Sequence, residues 1–177
     1  MNLKTLTIDM RILLIITCLA NIAFAFGSLP WMPEKMAVHF APDGQVNRFD
    51  SSVVYAVMIS VIVCFVAAIM LGISFFTSFV TTHMPESVNI PNRDYWLNEE
   101  NRPITVRRIC SNVELIGVGT MILILLVQWE VFQANLTVPP GQPNINVLMC
   151  GTGVLLAVIT FDCVRMLRSF RLPKEKD

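Results

Sequence analysis

Residues 29–50 read LPWMPEKMAVHFAPDGQVNRFD, a long polar stretch with a strongly apolar run on each side. Pro30 and Pro33 prevent the first apolar run from continuing as a helix, because each proline lacks a backbone N–H and restricts the residue before it. The sequence Pro42-Asp43-Gly44 predicts a turn, since proline presets the first corner and glycine tolerates a positive φ. We therefore expect residues 29–51 to form a structured loop between two membrane helices.

The composition is typical of an integral membrane protein. Hydrophobic residues make up 54% of the chain, charged residues 15%, and the mean hydropathy is +0.62. Crossing a hydrocarbon core of ~30 Å takes about 20 helical residues. Four apolar segments meet this length, at about residues 12–28, 52–81, 109–134 and 145–167. We predict an all-α integral membrane protein, a single domain over residues 1–177 with four transmembrane helices.

The N-terminal segment allows a second interpretation. Residues 1–27 contain Lys4 and Arg11, an apolar core and an Ala-Phe-Ala sequence, which together resemble a signal peptide with its cleavage site. We interpret this segment as a first membrane helix that the protein retains.

The distribution of basic residues predicts the orientation. Of the 13 Lys and Arg residues, only Lys35 and Arg48 lie in the first and third loops. The positive-inside rule then places both termini and the loop of residues 82–108 in the cytoplasm, and the loop of residues 29–51 outside. Tryptophans near the predicted membrane boundaries agree with an aromatic belt. They are Trp31 and Trp129 at the outer boundary and Trp96 at the inner one.

Motifs in two successive loops resemble a known family. A Leu-Pro-x-x-Pro segment followed by His-Phe and Gly, and the segment NIPNRDYWL at residues 89–97, are similar to segments of the membrane domain of unknown function found in SdpI-type toxin-immunity proteins. The resemblance covers roughly residues 10–135, and this chain lacks the further membrane helices of those proteins. The motif residues are Pro30, Pro33, His39, Phe40 and Gly44 in the first loop, and Asn89, Pro91, Asn92, Arg93, Tyr95 and Trp96 in the second. The resemblance implies a non-enzymatic immunity or envelope-protection protein of the bacterial inner membrane.

The second motif is interpreted as an interfacial turn. Tyr95 and Trp96 are expected at the level of the lipid headgroups, and a protein-docking surface is the alternative. The following helix is expected to begin at Pro103, because proline is favoured in the first helical position, with Asn98 or Asn101 as its cap.

Polar residues inside the predicted helices form another candidate site, because ionisable groups in lipid are costly and usually face the interior of a bundle. We predict an inner polar cluster of Ser74, Ser78, Arg108, Asn112, Glu114, Asp162 and Arg165. The cluster is interpreted either as a proton or ion relay or as hydrogen bonds that tie helices together. The second interpretation is favoured, because the middle of the last two helices offers no polar residue. Asn21 is the only other strongly polar group expected within the helices.

The first loop contains a candidate histidine. If the segment around His39 is extended, its side chain points away from those of Val38 and Phe40. We expect His39 to bond Glu130 or a backbone carbonyl as a structural residue, and a recognition role is the alternative. A divalent metal site is disfavoured, because the available ligands lack a second histidine or tight spacing. Those ligands are Glu34, His39, Asp43, Asp50 and Glu130.

The apolar side chains of the first loop are expected to pack on the outer ends of the helices, since burying each is worth roughly 1.5–3 kcal/mol. They are Trp31, Met32, Met36, Val38, Phe40 and Phe49.

Several function classes receive no support from the residues. The sequence contains no nucleophile–base pair, phosphate-binding glycine loop or CxxC motif, and its net charge of zero does not favour nucleic acid. We predict no enzyme activity, metal or cofactor, and name the lipid bilayer and other membrane protein chains as partners. An accessory subunit of a larger membrane complex is the alternative function, and a transporter is less favoured. The subunit hypothesis rests on the absence of catalytic residues and on glycines expected to admit another helix, which a partner chain could supply. They are Gly117, Gly119, Gly151 and Gly153.

Overall fold

The computed structural model describes residues 9–41 and 43–172, so residues 1–8, Pro42 of the predicted turn and residues 173–177 lie outside the description. Its elements are α1 (Met10–Gly27), β1 (Lys35–Phe40), β2 (Val46–Ser51), α2 (Ser52–His83), α3 (Arg93–Trp96), α4 (Arg102–Ala134) and α5 (Ile145–Ser169), with single 3₁₀ turns at Leu29–Trp31 and Pro85–Ser87. α1, α2, α4 and α5 are long and apolar enough to cross a membrane. The prediction of a mainly helical, multi-pass membrane protein is confirmed, and a two-stranded hairpin is added to it.

The long helices exceed what a bilayer requires. At 1.5 Å per residue, α2 and α4 are about 48 and 50 Å long, against a hydrocarbon core of ~30 Å. They must therefore tilt or extend beyond the lipid. α4 begins at Arg102, one residue before Pro103, and the Asn98 side chain accepts the backbone N–H of Asn101 at 2.8 Å. The Asn101 side chain makes no capping bond to α4.

The four long helices alternate in direction, which gives the bundle two distinct ends. We call the end that holds residues 29–51 and 135–144 the hairpin end, and the end that holds residues 84–101 the loop end. The first residues of α1 and the last residues of α5 both lie at the loop end, because Arg11 contacts Glu114 and Arg108 contacts Ser169.

The core lies between α1, α2 and α4. Its buried side chains are Leu14, Cys18, Val63, Ala67, Val118 and Met121. α1 contributes residues spaced by three or four positions, which fall on one helix face. α5 packs on α4, and Asp162 is its one buried residue. The bundle is therefore a three-helix core with a peripheral fourth helix.

Glycines allow α4 and α5 to approach closely. A Cβ added at Gly119 or Gly151 would lie 2.4 Å from a leucine methyl of the opposite helix, so each position admits a leucine of this same chain. A Cβ added at Gly117 would lie 3.0 Å from the side chains of Leu14 on α1 and Met70 on α2. These three glycines therefore admit another helix, as expected, but the helix belongs to this same chain and not to a partner. At Gly153 an added Cβ would meet nothing within 4 Å.

The loop between α1 and α2 is an antiparallel hairpin. β1 and β2 pair from Lys35 with Ser51 to Phe40 with Val46, and the register shifts on both sides of His39. Gly44 has φ +83° in the connection, a conformation that side chains with a Cβ rarely adopt. A Cβ there would also lie 2.7 Å from the Gln142 side chain, so the glycine brings the hairpin tip against residues 135–144.

Candidate functional site

The hairpin is attached to the bundle through one side-chain amide. Ala37 donates its backbone N–H to Asn135 Oδ1 at 2.7 Å, and Asn135 Nδ2 donates to the Ala37 carbonyl at 2.9 Å. Asn135 Nδ2 also donates to the Val131 carbonyl at 2.8 Å, and both Ala37 and Asn135 are buried. The asparagine thus satisfies both backbone groups of a buried strand residue, as a neighbouring strand would. Sequence reasoning missed this contact, because an asparagine after a helix is an ordinary signal for a helix end.

His39 does not contact Glu130, so the expected structural pair is wrong. The histidine is exposed, and its Nδ1 lies 2.6 Å from Asn47 Oδ1 on the paired strand. Glu130 is buried and accepts the backbone N–H of Asn144 at 2.8 Å. Two features explain the difference: β2 offers His39 a nearer partner, and the N-terminus of α5 stabilises a carboxylate next to its unpaired N–H groups.

Exposed side chains of the hairpin form what we call the hairpin surface, made of His39, Asn47, Arg48 and Phe49. Arg48 Nη2 lies 2.7 Å from Asp50 Oδ2. This hydrogen bond, helped by the Ser51 N–H, holds the pKa of the Asp50 carboxyl below its usual value.

The loop residues differ in burial. Pro30 is exposed, while Pro33 and Phe40 are partly buried. Met36 is buried, as expected, but Trp31 and Phe49 are 66% and 52% exposed. The expectation that all the apolar loop residues pack on the helices is wrong for these two aromatic side chains.

The second loop motif forms an intramolecular contact. Trp96 Nε1 and Asn92 Nδ2 both donate to the Phe170 carbonyl, at 2.9 and 2.8 Å. Trp96 and Phe170 are buried with their ring centroids 5.8 Å apart, and Asn92 adopts a left-handed conformation at φ 52°. Thr105 in the first turn of α4 donates to the Trp96 carbonyl at 2.7 Å. The motif therefore attaches the loop to the last turn of α5.

The Phe170 carbonyl and aromatic ring bury the Trp96 indole, and its expected position at the level of the lipid headgroups stays a prediction. Tyr95 remains exposed. Arg93 donates to the Glu86 carbonyl at 3.0 Å, and Asn89 and Pro91 lie in the exposed or partly buried turn before α3.

The inner polar cluster divides into two groups, each around a buried carboxylate. Glu114 accepts Ser74 Oγ at 2.7 Å and Arg11 Nε at 3.1 Å, which links α4 to α2 and α1. Asp162 accepts Asn112 Nδ2 and the guanidinium of Arg165, and thereby links α5 to α4.

Two arginines add contacts that the sequence did not predict. Arg108 belongs to the loop end, where its guanidinium carbon lies 4.5 Å from the centroid of the Trp96 ring and Nη1 donates to the Ser169 carbonyl at 2.8 Å. Arg11 was not predicted as a member. Its position in the first turn of the first apolar run, at the same depth as Glu114, was the signal for it.

A cleft of about 860 Å³ opens between α1, α4 and α5 at the level of Glu114 and Asp162. Six of the seven predicted residues line it, namely Ser78, Arg108, Asn112, Glu114, Asp162 and Arg165, so the structure brings most of the predicted cluster to one cavity. Buried carboxylates that each accept bonds from other helices are the arrangement expected of structural ties.

A second buried polar pair was missed. Gln128 Nε2 donates to Asn21 Oδ1 at 2.7 Å, and Asn21 Nδ2 donates to the Met121 carbonyl at 3.1 Å, so the amides link α1 to α4. Asn21 is therefore not the only strongly polar group outside the inner cluster. Gln128 Oε1 is buried with no hydrogen-bond partner among the described residues. A cavity of about 10 Å³ beside it, also lined by Ser52 and Tyr55, has room for about one water molecule.

The candidate metal ligands of the first loop have other partners. His39, Asp50 and Glu130 contact Asn47, Arg48 and Asn144 respectively. Within residues 9–41 and 43–172, no group of three or more His, Cys, Asp or Glu side chains is placed to hold a metal ion.

Comparisons with known proteins identify no relative of this chain. No protein-family model matches it, and neither curated proteins nor solved structures give a match. The resemblance to SdpI-type proteins therefore stays a prediction from the two loop motifs.

Proposed function

We propose that this chain is a non-enzymatic protein of the bacterial cytoplasmic membrane that protects the cell envelope by binding, as the resemblance to SdpI-type immunity proteins implies. The observation that carries the proposal is the attachment of the hairpin. Asn135 bonds both backbone groups of the buried strand residue Ala37, while His39, Arg48 and Phe49 remain exposed.

A fixed backbone with exposed side chains suits recognition. Binding through a segment that is already ordered loses less conformational entropy than binding through a flexible loop. Arginine and aromatic residues are enriched at protein interfaces, and the hairpin surface offers Arg48 and Phe49. An extended peptide can also add to a strand edge, and because Asn135 already occupies the edge of β1 at Ala37, it would add along β2.

The predicted orientation agrees with this function. The positive-inside rule places the hairpin end outside the cytoplasm, where a secreted toxic peptide reaches the membrane. At the other end, the hydrogen bonds of Glu114 and Asp162 favour a structural role for the inner carboxylates over a relay.

The test is protection of cells. A strain without the gene is exposed to medium conditioned by the wild-type strain, and survival is compared after complementation. The wild-type protein should restore survival, and the variant Arg48→Glu with Phe49→Ala should not. Tyr95→Ala, an exposed aromatic at the loop end, is the matched control and should protect fully. Equal membrane levels are checked by immunoblot.

Protection by the hairpin variant at the wild-type level would overturn recognition by the hairpin. Equal survival with and without the gene would overturn protection itself.

An accessory subunit is the second candidate, and the exposure of α5 favours it. Met149 and Phe161 are 67% and 70% exposed, so this helix presents apolar side chains to lipid or to another chain. A complex larger than the monomer should then survive mild solubilisation, and migration at 19.9 kDa plus detergent would count against it.

A further inference from the structure

An apolar groove of about 500 Å³ runs between α4 and α5. On α4 it extends from Leu115 to Leu126, which at 1.5 Å per residue is about 16 Å. One leaflet of a bilayer contributes half of the ~30 Å hydrocarbon core, or about 15 Å. The groove therefore has the length of one acyl chain in one leaflet.

The groove joins the polar cleft at the loop end. Leu115 and Asp162 line both cavities, so an apolar channel leads directly into a polar one. Positively and negatively charged side chains both line the cleft. The cations are Arg11, Arg107, Arg108 and Arg165, and the carboxylates are Asp9, Glu114 and Asp162.

The charges that face outward are mainly the cations. The side chains of Arg165 and Arg11 are 69% and 55% exposed, while those of Asp162 and Glu114 are 9% and 4% exposed and accept hydrogen bonds from these arginines. Asp9 is exposed and accepts the backbone N–H of Arg11. An anion that approaches from solvent or from the lipid headgroups thus meets guanidinium groups first.

We propose that this composite site binds one anionic phospholipid, with an acyl chain in the α4–α5 groove and its phosphate in the cleft beside Arg165. Arg165 uses Nε and Nη2 to bond Asp162. A guanidinium carries five N–H donors, so it can also bond a phosphate without releasing the carboxylate. Basic pockets between membrane helices on the cytoplasmic side are sites for anionic headgroups.

A lipid fits this site better than a helix from a partner chain. A membrane-spanning helix needs about 30 Å of apolar surface, roughly twice the length of the groove. It would also have to place a matching anion at the cleft, whereas every anionic phospholipid joins an acyl chain to a phosphate. The proposal concerns a site at the loop end and does not depend on the function proposed for the hairpin.

The experiment is native mass spectrometry of the full chain in detergent during titration with phosphatidylglycerol or phosphatidylcholine. Wild-type protein should retain one phosphatidylglycerol and bind it more tightly than phosphatidylcholine. Arg165→Gln should weaken phosphatidylglycerol binding about fivefold, the effect of one arginine near a phosphate. Its control, Arg168→Gln, removes an exposed arginine of the same helix that does not line the cleft and should bind normally.

A second pair of variants tests the acyl chain. Val154→Phe fills the groove and should abolish retention of the lipid. Leu156→Phe adds the same ring at a residue of equal exposure that does not line the groove, and should leave binding unchanged. Arg165→Lys keeps the charge and should retain most of the affinity, which separates loss of charge from loss of structure.

Four results would overturn the proposal. The first is equal affinity of the wild type for the two lipids, and the second is equal effects of the two arginine-to-glutamine variants. The third is competition by inorganic phosphate while Val154→Phe has no effect. The fourth is a disulfide between the Cys150 residues of two copies, which line the groove, that forms equally well with and without phosphatidylglycerol. The third result would indicate a site for a free anion, and the fourth an interface between helices. If Arg165→Gln does not fold, Arg165→Lys and Val154→Phe still decide the question.

Discussion

The two ends of the bundle attach an irregular segment to the helices by the same kind of contact, but with different packing around it. At the hairpin end, Asn135 bonds both backbone groups of Ala37. At the loop end, Asn92 and Trp96 both bond the Phe170 carbonyl. In each case a side-chain amide or indole satisfies hydrogen-bonding groups of the main chain.

The difference lies in the aromatic residues. At the loop end Trp96 and Phe170 are buried against each other, with the Arg108 guanidinium over the indole. At the hairpin end Phe49 and Trp31 are exposed. The loop end is therefore held by aromatic packing as well as hydrogen bonds. The hairpin is held by Asn135 and by the buried side chains of Met36 and Ala37, and it keeps its aromatic side chains exposed.

The largest effect is expected from Phe170→Ala. Phe170 is fully buried, and removing a buried aromatic ring costs about 3–5 kcal/mol through lost transfer energy and the cavity left behind. The free energy of unfolding is measured by titration of a mild detergent with a denaturing one. Leu172→Ala, at an exposed position two residues on, should change it by less than about 0.5 kcal/mol. Equal effects of the two variants would contradict packing at the loop end.

Asn135→Ala is expected to have the second-largest effect on the free energy of unfolding. It leaves the N–H and C=O of the buried Ala37 unpaired, and each unsatisfied group costs about 1–3 kcal/mol, so a loss of at least about 2 kcal/mol is expected. Hydrogen exchange of the Ala37 amide should also become faster. Gln133→Ala, an exposed residue of the same helix, is the control. If the exchange rate of the Ala37 amide does not change, Asn135 is not what attaches the hairpin.

Trp96→Phe removes the indole N–H but keeps a buried aromatic ring. Because Asn92 still bonds the Phe170 carbonyl, the loss should be that of one hydrogen bond, about 1 kcal/mol. Unfolding of the purified variant gives the value, with Tyr95→Phe as an exposed control. A loss as large as that of Phe170→Ala would show that the hydrogen bond, rather than the ring, dominates.

His39→Ala should have the smallest effect. The histidine is exposed and bonds the exposed Asn47, so the free energy of unfolding should change by less than about 0.5 kcal/mol. Thermal unfolding in detergent measures it. A loss above about 1 kcal/mol would restore the structural role expected from the sequence, while an unchanged stability with reduced protection of cells would support the hairpin surface as a recognition site.

Much of the architecture could be predicted because it depends on local properties. The lengths of the apolar runs indicated four helices, and the prolines and Gly44 indicated a turn-containing segment between the first two. The depth of Glu114 and Asp162 in antiparallel helices also indicated that polar residues meet near one end, and both line one cleft. Depth along a helix can be counted from sequence at 1.5 Å per residue.

The sequence by itself determined the membrane class, the number of long helices and the position of the loops, since these follow from composition and spacing. Only the tertiary structure decided the partners of the polar groups: Arg11 for Glu114, Asn21 for Gln128, Asn144 for Glu130, and Phe170 for Trp96. The physical reason is that a donor in a bundle has several acceptors at the same depth. The rotation of each helix about its axis and the register of each strand select one of them, and both depend on packing of the whole chain.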